Sequence, residues 1–149
     1  MKIIMIGVLT AILTLNADDV FTDQEVVAIT ILAEARGEGH SGMYAVATVI
    51  SQRALNRALT PRRVCLQNRV VKGKRMWQFS CWDSGKSLRD LLREPQAKYA
   101  MLLANNIKEI DRSYVGYADH YHNKKVKPYW LNNKKKIRTI NNHIFYKLR

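Results

Sequence analysis

Val27, Ile31 and Glu34 stand at i, i+4 and i+7, which on a helix places a carboxyl group on the same face as two large aliphatic side chains. A glutamate in that setting is half buried. Desolvation disfavours its charged form, and the negative end of a helix dipole pushes the same way, so its pKa is expected to rise. A carboxyl group that keeps its proton near neutral pH suits general acid work, such as protonating the leaving oxygen of a glycoside while positive charge develops at the anomeric carbon. The plain alternative is a surface glutamate paired with Arg36 or Lys72.

Other residues could also carry chemistry. His120 and His122, two apart on an extended segment, could join a distant His143 around a zinc ion and make an amidase or peptidase; the same residues could equally be hydrogen-bonded structure. Cys65 and Cys81 form an even pair without CxxC spacing, which favours one disulfide over a metal site in an oxidising compartment. The bridge would close a loop of about 16 residues and contribute roughly 3 kcal/mol; the alternative is two separate buried thiols.

The elements that must position these groups can be read from local signals. Thr22-Asp23-Gln24-Glu25 has the form of a capping box, so a helix is expected to start there, run through the apolar positions 26 to 33 and end at Gly37 in the left-handed conformation. Glu34 then falls in its last turn. A second helix fits Gly42 to about Leu59, where Met43, Val46, Val49, Ile50 and Ala54 recur at helical spacing until Thr60-Pro61. Residues 61 to 85 read as a long stapled loop or small sheet. Ser87 could cap another helix, and Pro95 could open one reaching about Ile110. The aromatic runs Tyr117 to His122 and Thr139 to Tyr146, separated by lysine clusters, suit a short hairpin.

Composition narrows the setting. The chain has 149 residues, 47% of them hydrophobic, enough for one domain with a real core. Its formal charge of +13 predicts attraction to polyanions. Met1-Lys2, the apolar run from Ile3 to Leu15 and the small Ala17 read as an export signal over residues 1–17, cleaved after Ala17 or retained as an anchor. At about 13 residues the run is shorter than the ~20 of a spanning helix. Export argues against nucleic acid as a partner. Lys124, Lys125, Lys127, Lys134, Lys135 and Lys136 lie in a segment, Arg112 to Arg149, whose single acid is Asp119. They could hold the protein on an anionic wall or membrane surface, or simply form a solvated face.

Ala33-Glu34-Ala35-Arg36-Gly37-Glu38, then Gly42, Ala45-Val46-Ala47, Val49-Ile50 and Arg53, resemble the opening of the cell wall hydrolases of the SleB and CwlJ type. Val64-Cys65, Gln78-Phe79-Ser80-Cys81-Trp82, Ala118 to Asn123, Trp130 and His143-Ile144-Phe145-Tyr146 resemble that family's later blocks in the same order. The resemblance implies an α+β, mainly helical, lysozyme-like single domain over residues 18–149 that acts on peptidoglycan without a metal or cofactor. It also implies that Glu34, the first glutamate of the run, is the catalytic acid, with lytic transglycosylase chemistry that leaves 1,6-anhydro-muramic ends. Hydrolysis would instead need a second carboxylate, for which Glu38, Asp83 and Asp119 are the candidates, roughly 5 to 9 Å across the bond. Gln78, Tyr121, His122, Trp130 and Glu38 are the expected glycan contacts, since sugars offer hydroxyls to polar side chains and apolar faces to rings. The expected protein is an exported monomer. The reading from another class is a basic, non-catalytic secreted protein that binds wall or membrane by charge.

Overall fold

The structure, a computed structural model, describes residues 21–83, 87–131 and 135–149; the expected export segment and Lys134 lie outside them. Helix α1 spans Asp23–Ala35 and begins with the anticipated capping box: the Thr22 hydroxyl accepts from the Glu25 amide while the Glu25 carboxylate accepts from the Thr22 amide. Four of its residues are β-branched aliphatics, poor helix formers by a few tenths of a kcal/mol each. Val26, Val27, Ile29 and Ile31 are nonetheless buried, and burying such a side chain contributes roughly 1.5–3 kcal/mol. Packing therefore decides that this segment is helical.

The chain leaves α1 through a 3-10 turn, Arg36–Glu38, and enters α2, Gly39–Arg57. The expectation that Gly37 takes the left-handed conformation is corrected: Gly39 has the positive φ, 68°, because the 3-10 turn carries the chain two residues further before it reverses. Ala58, with φ 51°, ends α2, and Pro61 opens the short α3, Pro61–Cys65, whose cap is Thr60. Helix α2 is buried on two sides. Met43, Val46, Ala47 and Ile50 belong to the main helical core, whereas Ala45 and Val49 pack with Val115, Ala118, Ile140 and Phe145 under a sheet.

Between α3 and the 3-10 turn Ser80–Trp82 stands an antiparallel hairpin of β1, Asn68–Val71, and β2, Lys74–Trp77. Lys72 and Gly73 both have positive φ, as a tight two-residue hairpin turn requires. A 3-10 helix, Leu88–Arg93, then leads to α4, Ala97–Asn105, shorter than expected and starting after Pro95. Ser87 provides no side-chain cap.

The C-terminal half forms a three-stranded antiparallel sheet in the order β3-β5-β4, with β3 His120–Asn123, β4 Lys136–Ile140 and β5 His143–Tyr146. The two aromatic runs pair with each other as anticipated, Tyr121 opposite Phe145, but a third strand flanks them. The result is a mainly helical α+β, lysozyme-like domain.

One close approach fixes the junction of helix and sheet. A Cβ added at Gly42 would lie 2.3 Å from Cβ of Glu38, whose carboxylate holds the β4–β5 turn. Gly42→Ala is expected to lower stability by about 1–3 kcal/mol through this overpacking, read by denaturant unfolding.

Candidate active site

Glu34 lies in the last turn of α1 and is half-buried. Its Oε2 accepts a hydrogen bond of 2.6 Å from the Tyr121 hydroxyl. Tyr121 reaches it from β3, with its ring packed between His143 and Phe145 of β5 at centroid distances of 5.0 and 5.5 Å. Burial raises the Glu34 pKa; the Tyr121 hydrogen bond and the positive Arg53 pull it back without cancelling the rise. Tyr121 is itself pushed well above its usual value, first by burial and then by the adjacent Glu34, so it remains a donor.

Arg53 is the cation of this site. Only 6% exposed, it projects from α2, donates from Nε to the Asp119 carbonyl at 2.6 Å and lies over the Phe79 ring at 5.4 Å. The sequence reading gave Arg53 no chemical role. Its spacing carried the signal, since it follows Val46, Val49 and Ile50 by seven, four and three residues and therefore belongs to a buried face. A buried guanidinium needs carboxylates nearby, and Asp119 and Glu34 both act on it.

The expected Cys65–Cys81 bridge is not formed: both residues are thiols. Cys65 sits at the end of α3, fully buried and hydrogen-bonded with Thr30, which in turn accepts from the Trp82 indole at 3.1 Å. Burial chiefly, with the Glu34 charge acting in the same direction, pushes both thiols up to about 12. The two sulfurs therefore belong to the protonated, weakly polar surroundings of the acid.

The glycan contacts expected from sequence do not form one group. Tyr121 contacts the acid. Gln78 is exposed at the base of the β1–β2 hairpin, where its amide donates to the Gln67 carbonyl at 2.9 Å. His122 and Trp130 lie on the opposite face of β3 from Tyr121, since successive strand residues alternate. There Trp130 packs edge-on against His120, His122 and Tyr146. Glu38 is occupied by structure: its oxygens accept from the backbone amide and side chain of Asn142, and its backbone oxygen accepts from Asn141 Nδ2. Burial pushes the Glu38 pKa up, but the hydrogen bonds from Asn142, together with the charges of His143 and Lys124, bring it below the usual value.

The zinc arrangement is absent for the same geometric reason. His120 and His122 share one face of β3, while His143 pairs with Asn123 and so lies on the other face with Tyr121. No group of three potential ligands is assembled among the described residues.

The family relationship follows from comparison with known proteins. Residues 37–146 match a family model described as Cell Wall Hydrolase, most of the chain's length. The chain belongs to the cell wall hydrolase family, of the SleB type. No curated protein and no solved structure matches it. Membership in the cell wall hydrolase family makes peptidoglycan the substrate. The matched segment begins three residues after Glu34, so the role of that glutamate rests on its surroundings.

A raised carboxyl pKa has a consequence for stability. Between the ordinary carboxylate range and the folded-state value, the folded chain holds a proton that the unfolded chain has released, so stability falls as pH rises through that window. Glu34→Gln, which cannot ionise, is therefore expected to melt higher than the unsubstituted protein at pH 7.5, with the gap closing below the ordinary carboxylate range. Equal melting temperatures at both pH values would contradict a raised Glu34 pKa.

Proposed function

We propose that Glu34 is the general acid and then the general base of glycan-strand cleavage, in the lytic transglycosylase manner. The observation that carries this reading is the half-buried carboxyl with a raised pKa whose Oε2 is held by Tyr121. Because Tyr121 donates to Oε2, the transferable proton belongs on Oε1. Glu34 gives that proton to the glycosidic oxygen as the bond to the anomeric carbon breaks. The carboxylate left behind takes the proton of the sugar's own 6-hydroxyl as its oxygen attacks the same carbon, closing the anhydro ring and restoring the acid.

The alternative carboxylates support this economy of one. Asp119 is 2% exposed and accepts from the amides of Leu148 and Arg149 and from the side chains of Asn56 and His120. Glu38 holds Asn142. Asp83 is exposed just after the Ser80–Trp82 turn. Both well-bonded carboxylates have pKa values below their usual range, and neither is available to activate water. The exposed Lys124, Lys125, Lys127, Lys135 and Lys136 fit attraction to an anionic wall. The apolar run at the chain's start fits export to that wall.

Digestion of purified peptidoglycan, with fragments read by mass spectrometry, tests the assignment. The unsubstituted protein is expected to release anhydro-muramic ends, unaffected by chelator, and Glu34→Gln to release them about 10²–10⁴-fold more slowly, the range for loss of a general acid. Reducing ends would mean hydrolysis. An active Glu34→Gln protein would remove this residue from the mechanism.

Tyr121→Phe separates positioning from catalysis. Loss of the hydroxyl removes the interaction that lowers the Glu34 pKa, so the alkaline limb of the pH–rate profile is expected to move to higher pH. The rate should fall roughly tenfold, as one charge-assisted hydrogen bond of about 1.5 kcal/mol is lost.

A further inference from the structure

The β1–β2 hairpin has no role in the reaction described above, yet it is rooted beside the acid. Its two strands rise from Cys65 on one side and from Phe79, Ser80 and Cys81 on the other, and both cysteines feel the Glu34 charge. The root is fastened: Gln78 donates to the Gln67 carbonyl, and Arg57 from the end of α2 donates to the Gln67 side chain. Beyond the root the hairpin is unsupported. Every residue from Asn68 to Met76 is exposed, and the chief contact outside the hairpin is with the adjoining 3-10 turn.

Arg69, Lys72, Lys74 and Arg75 are all exposed, and no acid occurs between Val64 and Trp82. None of the four forms an ion pair with a described residue; Arg75 lies over the Trp77 ring at 5.9 Å. The register places a cation and an aliphatic side chain on each face, Arg75 beside Val70 on one and Arg69 and Lys74 beside Met76 and Val71 on the other. Four strand residues extend about 13 Å from the root. The stem peptides of peptidoglycan present free carboxylates and small alkyl groups, the chemistry that these cations and aliphatic side chains match.

We propose that this hairpin is a substrate subsite that binds the carboxylates of peptidoglycan stem peptides, so that the protein cleaves peptide-bearing strands in preference to bare glycan. The inference deepens the reading of peptidoglycan cleavage at Glu34 and rests on it. Charge complementarity carries the preference, with the aliphatic groups covering the peptide's alkyl parts.

The test compares two substrates for the full chain: glycan strands with their stem peptides, and the same strands stripped of peptides by an amidase. At low ionic strength the kcat/KM for peptide-bearing strands is expected to exceed that for bare strands roughly fifteenfold, four exposed charge pairs each contributing a factor of about two. Combining Arg69→Gln, Lys72→Asn, Lys74→Gln and Arg75→Gln should bring that ratio close to one while leaving cleavage of bare strands unchanged. The bare-strand rate reports that the variant is folded. An unaltered ratio, or an equal slowing on both substrates, would overturn the subsite. Should Glu34→Gln prove active, the acid assignment fails by itself, since the ratio between substrates is read independently of which group supplies the proton.

Discussion

A carboxyl group withdrawn from water at the end of a helix needs a hydrogen-bond donor, and the 2.6 Å contact from Tyr121 to Glu34 answers that need. Much of the architecture follows from it. Tyr121 is on β3, the far side of the chain from α1 in sequence, so the helical core and the C-terminal sheet must dock in one register. Phe145, opposite Tyr121 on β5, is fully buried beneath the sheet, and a one-residue slip would turn both rings to the other face.

Arg53 supplies the compensating charge and is held in its buried position by Asp119. Asp119 offers its carbonyl to Arg53, while its carboxylate gathers His120, Asn56 and two C-terminal amides. The sheet's first strand, the central helix and the chain's last residues thus meet at one aspartate. Its acidity is the inverse of that of Glu34: both are shielded from water, but Asp119 is surrounded by donors and Glu34 has one among the described residues.

How much of this was legible from sequence depends on how local each cause was. The capping box at Thr22 and the turn of the helix that carries Glu34 are decided within a few residues, and both were readable. Strand β4 was hidden because Lys136 to Arg138 alternate poorly, with four of its five residues exposed. The left-handed glycine was misplaced by two because the 3-10 turn after α1 is set by the bonding of Glu38 to Asn142, over a hundred positions away. The same bond ties Glu38 to the β4–β5 turn, a partner that no local signal announces. Alternation along β3 put Tyr121 on one face and His122 on the other, but nothing local says which face meets the acid. The family blocks carried the identities of Arg53, Tyr121 and His143 without their arrangement.

Glu38 and Tyr121 together close a ring. From Glu34 the chain runs through the 3-10 turn to Glu38, crosses by hydrogen bonds to Asn142, follows β5 to Phe145, crosses the ladder to Tyr121 and returns to Glu34 through the tyrosine hydroxyl. A closed frame of this kind resists shear as an open chain of contacts does not. Sliding the sheet along the helices would strain every side of the frame at once, so small breathing motions leave the Glu34 carboxyl where it is. The working geometry and the folded sheet are consequently a single cooperative unit, lost together and recovered together.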